Sequence, residues 1–158
     1  MMKPVVFGAR ASPFCDKVLR AFAAKGVAYT LEPMRSPASL TRHSPETGKM
    51  PTVRFEEEGP PLFDSSRILR ELDPRFPDPP LLPDGARDRA LARVLEDWAD
   101  EALYFHLLAE RWSKEHRAAS SELVFAEMSP LLRRAAAVVA PGRIYASAIA
   151  QRTSRAEI

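Results

Sequence analysis

Four residues, Ser12-Pro13-Phe14-Cys15, sit between a short apolar run over 4–7 and a stretch with helical spacing. A loop that leaves a buried strand and enters a helix gathers unpaired backbone N–H groups and the positive end of the helix dipole at one spot, which favours an anion. A thiol held there is drawn down from a pKa of ~8.5 and becomes a nucleophile. The Ser12 hydroxyl can donate a charge-assisted hydrogen bond to the resulting thiolate. Serine is also the commonest N-cap, so this position taken alone reads as structural. A second element is Lys49-Met50-Pro51 ahead of a strand-like run. A cis peptide bond before Pro51 leaves the Met50 N–H and C=O open to a peptide-like ligand. The third is Asp64-Ser65-Ser66, with Arg67 where a capping box carries Glu or Gln. No acidic side chain competes there for the helix start, so a ligand carboxylate can take it.

Cys15 reads in two ways. Flanked by Phe14 and Val18 in the first turn of a helix, it suits a small buried hydrophobe; as a thiolate it suits thiol-disulfide exchange. The three histidines, His43, His106 and His116, are scattered, and no Cys/His pair has metal-ligand spacing. No metal or bound cofactor is expected. A Gly-x-Ser-x-Gly elbow is absent, and 6 glycines leave little material for a phosphate-cradling loop.

The elements that must position these residues follow from pattern. The run over 4–7 ends at Gly8 and predicts a buried strand. Ser12 and Pro13 read as N-cap and N1 of a helix whose Phe14, Val18, Leu19 and Phe22 recur at helical spacing, with Gly26 as its C′ residue. A second strand is expected over 27–31 and a short helix around 37–43. Alternation over 51–56, turn residues at 57–60 and an apolar pair within 61–63 predict two further strands. Asp64 or Ser65 caps a helix with Ile68, Leu69 and Leu72 inward.

The proline-rich stretch over 76–83 cannot continue that helix and reads as a stiff linker. Beyond it, Leu91, Val94, Leu95, Trp98, Ala102, Phe105, Leu108 and Trp112 predict one long amphipathic helix over 86–114, ~40 Å long. A second helical segment is expected over 120–128. Ser129-Pro130 opens a third, ending at Pro141-Gly142 and followed by a polar tail. The domain reading is therefore 1–78, a linker at 79–85, and a partial all-helical domain over 86–158.

With 158 residues, 46% hydrophobic and 28% charged, the chain has the composition of a folded globular protein. A formal charge of +2 with interleaved signs argues against a nucleic-acid surface. One cysteine excludes an intramolecular disulfide, and no run of ~18 apolar residues is long enough to cross a bilayer. No secretory pattern precedes residue 8, so a cytoplasmic address is expected.

The order and separation of the three segments resemble a known family. Ser12-Pro13-Phe14-Cys15-Asp16-Lys17-Val18, then Ser44-Pro45-Glu46-Thr47-Gly48-Lys49-Met50-Pro51-Thr52-Val53, then Leu62-Phe63-Asp64-Ser65-Ser66-Arg67-Ile68 look like the N-terminal domain of glutathione S-transferases of the Ser/Cys type. The resemblance spans residues 3 to about 83 and continues more loosely through the long helix. It implies an α/β thioredoxin-like domain of order β-α-β-α-β-β-α followed by a short all-α domain. It implies glutathione as co-substrate, conjugated to a small electrophile by a homodimer with a role in detoxification. Ser12 then bonds the glutathione sulfur, with Cys15 as the other candidate catalytic residue. The Met50 backbone contacts the cysteinyl part, Lys49 pairs with the glycine carboxylate, Asp64 with Ser65 holds the γ-glutamyl end, and Phe14 and Pro51 complete the glutathione-binding set.

Family members usually carry several helices after the linker, and two or three are readable here. Two rivals to conjugation therefore stay open: a non-catalytic binding or assembly module whose apolar seam takes a partner, and Cys15-dependent thiol-disulfide exchange.

Overall fold

The computed structural model describes residues 3–156, which form two compact units, one up to Leu81 and one from Leu82. The first is an α/β thioredoxin-like domain with the element order read from the sequence: β1 (Val5–Gly8), α1 (Pro13–Ala24), β2 (Thr30–Pro33), α2 (Pro37–His43), β3 (Thr52–Arg54), β4 (Leu62–Phe63) and α3 (Ser65–Arg75). Its sheet has the order β2-β1-β3-β4, parallel between β1 and β2 and antiparallel elsewhere.

Strand residues alternate faces, and this divides the sheet's work. Val6 and Val53, paired in register, pack with Val18, Leu19 and Phe22 of α1 and Ile68 and Leu72 of α3 in one core. On the opposite face Phe7 stacks on His43 of α2, ring centroids 4.0 Å apart.

Two close approaches set how β1 meets α1. A Cβ on Gly8 would lie 2.4 Å from Cys15 Sγ, so only a glycine lets the strand end touch the first turn of α1. At the other end of α1, Gly26 takes φ 63, the Gly26 N–H bonds Ala23 O and the Val27 N–H bonds Phe22 O. This reverse turn uses residues up to Tyr29, which is why β2 starts at Thr30 rather than at Val27 as its apolar pattern predicts.

Lys25 caps the end of α1 with its side chain wholly buried. Its ammonium donates to Phe76 O at 2.6 Å and Pro79 O at 2.8 Å and pairs with Asp73 Oδ1 at 2.6 Å. Asp73 Oδ1 also accepts from Leu81 N–H, and Leu81 packs on the core. The proline-rich stretch is thus bonded to the first unit as far as Leu81.

The second unit is all-helical: α4 (Ala86–Trp98), a π-helical turn (Ala99–Leu103), α5 (Tyr104–Arg111), α6 (Arg117–Val124) and α7 (Pro130–Ala156). The expected helix over 86–114 is interrupted by this π turn. An added residue in the turn rotates everything after it by about 100°. The predicted seam is therefore split, with Trp112 buried while Leu91, Val94, Leu95 and Trp98 are 54–63% exposed, and Ala109, outside the seam, is buried near the Trp112 end of the helix.

Helix α6 begins before Ser120, because Ser120 and Ser121 do not cap it. They turn their hydroxyls back onto Arg111 O and Arg117 O. Helix α7 does not stop at Pro141-Gly142 and leaves no polar tail over the described residues. Proline fits helical φ and forfeits a single N–H bond, and the segment beyond it buries Ala148 completely.

Gly8→Ala is expected to destabilise the first unit by about 2 kcal/mol or more in urea titration, as overpacking of a closed contact. Adding Cys15→Ala should recover much of that loss. A Gly8→Ala protein as stable as wild type would show that strand and helix do not meet this closely.

Candidate functional site

Helix α1 starts where the sequence places it. Ser12 is the N-cap with extended backbone, and its Oγ accepts from Cys15 N–H at 3.5 Å. Ser12 and Phe14 are half-buried. Cys15 is fully buried, its sulfur against Gly8. Burial pushes the Cys15 thiol above its ordinary value of 9.0, outweighing the lowering effect of hydrogen bonds with the Ser12 hydroxyl and the Ala9 backbone. A thiol in this setting is protonated at neutral pH and closed to solvent, which favours packing over attack.

Met50 arrives from the sheet. The Met50-Pro51 bond is cis, Met50 stands outside the β3 ladder, and its Cβ lies 3.8 Å from where a Gly8 Cβ would be. Gly8, Cys15 and Met50 therefore converge beside the start of α1. Lys49 is exposed, its backbone N–H bonded to Thr47 Oγ1, and its ammonium makes no ion pair among the described residues.

Asp64 caps α3 by accepting from Arg67 N–H at 2.9 Å, so an acidic side chain does occupy the helix start that the sequence reading left open to a ligand carboxylate. Asp64 has φ 73 and ψ 122 and is the one described non-glycine residue with positive φ. A β-carbon in that region costs about 1–3 kcal/mol and persists where the surrounding structure imposes it, commonly at ligand contacts. Ser65 and Ser66 behind it are buried.

One feature of this end of the fold went unread in the sequence. Lys17 Nζ donates to Ser66 Oγ at 3.0 Å, joining the early turns of α1 to the start of α3. The signal was Ser66, a second serine after the Asp64 cap, which the capping pattern did not require. The start of α1, the Met50-Pro51 bond and the start of α3 thus all belong to the first unit, on elements of one sheet-and-helix core.

Two hollows lie elsewhere. A groove of about 770 Å³ between α6 and α7 is lined by Arg117, Arg133 and Arg134 among others. A cavity of about 80 Å³ under α2 is lined by Phe7, His43 and Thr52, whose buried hydroxyl has no partner among the described residues. Neither touches Ser12, Met50 or Asp64. Among the described residues no group of acidic, histidine and cysteine side chains is arranged to hold a metal ion, and no helix is long and apolar enough to cross a membrane.

Residues 6–80 match the family model for the glutathione S-transferase N-terminal domain. Over 72 residues the chain is 39% identical to the chloroplastic glutathione S-transferase DHAR3 of Arabidopsis thaliana, covering 44% of this chain and 27% of that one. It is similar to the crystal structure of rice GST1 in complex with glutathione, at 30% identity and TM-score 0.60, covering 77% of this chain and 58% of that one. A glutathione S-transferase of Methylobacterium radiotolerans in complex with glutathione sulfonate aligns over 95% of this chain and 65% of its own, at 25% identity and TM-score 0.61. The chain spans 27% and 44% of the length of two curated relatives that it matches.

The raised Cys15 pKa carries a signed consequence. In the unfolded chain the thiol ionises near its ordinary value, while the buried thiol keeps its proton, so the folded state holds more protons in that range. The stabilisation is complete below the unfolded pKa and is lost as pH rises through the folded one. Between about pH 8 and about pH 10 the stability advantage of wild type over Cys15→Ala should shrink in urea titrations. The native protein should also resist an aromatic disulfide reagent that labels it once unfolded. Rapid labelling of the native thiol would contradict the burial.

Proposed function

We propose that this chain, whose residues 6–80 form an N-terminal domain of the glutathione S-transferase family, binds glutathione and conjugates its thiolate to a small electrophile. The observation that carries this reading is the presence of the Ser12 cap, the cis Met50-Pro51 peptide and the positive-φ Asp64 cap in one unit. Ser12 donates to the sulfur and, with the N-terminal dipole of α1, stabilises the thiolate over the thiol. Phe14 and the Met50 backbone flank the cysteinyl part, ahead of Pro51. The γ-glutamyl end lies at Asp64 and Ser65, and Lys49 takes the glycine carboxylate from the exposed loop. Cys15 packs behind this site and takes no part in the chemistry.

No proton acceptor beyond solvent is required for a thiol whose pKa the site itself lowers. Catalysis is then the supply of a desolvated, oriented thiolate to an electrophile held nearby.

Calorimetry with glutathione and initial rates with a generic aryl halide test this reading. Wild type should bind saturably and turn over. Ser12→Ala should lose about 10- to 100-fold in conjugation, the worth of one hydrogen bond to a charged group, while the lost cap costs only about 1 kcal/mol of stability. Unchanged conjugation in Ser12→Ala would remove Ser12 from the mechanism.

The exposed face of α4 favours a second reading, a non-catalytic binding or assembly module. Leu91, Val94, Leu95 and Trp98 present apolar side chains on consecutive turns of one helix, the pattern of a surface covered by a partner, here a second copy of the chain. Sedimentation should then show a dimer at micromolar concentration that Leu95→Glu dissociates. A monomer at that concentration, or a dimer that persists unchanged in Leu95→Glu, rules the reading out.

A further inference from the structure

Apolar packing holds α1 to α3 along most of their contact through Val18, Phe22, Ile68 and Leu72, all fully buried. At the start of α3 the buried residues are instead the hydroxyl-bearing Ser65 and Ser66. Apolar contact is non-directional and tolerates sliding, whereas a hydrogen bond fixes distance and angle. The bond from Lys17 Nζ to Ser66 Oγ at 3.0 Å crosses 49 residues of chain at this end. It spans the helix starts to which the reading above assigns the two ends of glutathione, the sulfur at Ser12 and the γ-glutamyl group at Asp64 and Ser65.

We propose that Lys17 is a positioning residue: through Ser66 it holds the start of α3 at a fixed spacing from the start of α1, so that one tripeptide can meet both. The proposal rests on the glutathione reading of the site and deepens it.

Calorimetric glutathione affinity and steady-state kinetics of wild type, Lys17→Met, Lys17→Arg and Ser66→Ala test it, with melting temperatures measured alongside. Lys17→Met should weaken glutathione binding and raise its KM about tenfold, the loss of one charge-assisted bond, with kcat at saturation nearly unchanged. Lys17→Arg should restore most of the affinity. Lys17→Met combined with Ser66→Ala should be no worse than the poorer single variant, because both remove the same bond. Affinity in Lys17→Met within about twofold of wild type overturns the proposal and leaves the glutathione reading standing. Parallel losses in kcat and melting temperature with no change in affinity overturn it too, because the bond is then structural alone. A wild-type protein with no saturable glutathione binding overturns both.

Discussion

The contact between Gly8 and Cys15 governs the first unit. A central strand must run into a helix whose first turn lies against the strand's own end, and any β-carbon at residue 8 would collide with the Cys15 sulfur. With that contact closed, the first turn of α1 lies against the end of β1, beside the Met50-Pro51 bond that leads into β3. The buried cysteine is therefore part of the wall. Its raised thiol pKa expresses the same fact as its packing, since removing water from the sulfur both secures the strand-helix contact and disfavours the thiolate.

Sequence made the first unit legible because its signals are local and mutually consistent. Ser12-Pro13 at the start of α1, Gly26 at its end, Pro37 at the start of α2 and Asp64 ahead of α3 each satisfy helix termini by chemistry visible within four residues. What sequence could not give was the pairing of residues distant in the chain. The bond of Lys17 to Ser66 and the burial of Lys25 among Phe76, Pro79 and Asp73 depend on which helices become neighbours. Lysine is ordinarily a surface residue, so neither pairing leaves a mark in composition or periodicity.

The second unit was harder to read for a physical reason. Periodicity assumes a constant 3.6 residues per turn, and the π turn over Ala99–Leu103 breaks that assumption without any proline or glycine to announce it. Apolar residues that align on a uniform helix are turned apart, which leaves Trp98 exposed and Trp112 buried. The opposite error occurred at Pro141. The breaker at Pro141 does not end α7, which runs on through it and buries Ala148 further along.

Lys25 links the end of α1 to the segment that reads as a tether. Its ammonium leaves water entirely, and its compensation comes from Asp73 and from two carbonyls contributed by the proline-rich stretch. Detaching that stretch strands a desolvated cation, so fraying from the C-terminal side of the first unit cannot proceed residue by residue up to Phe76. The amides of this apparent spacer, Leu81 included, should accordingly exchange with solvent in concert with α1 and share its opening free energy, as members of one cooperative folding unit.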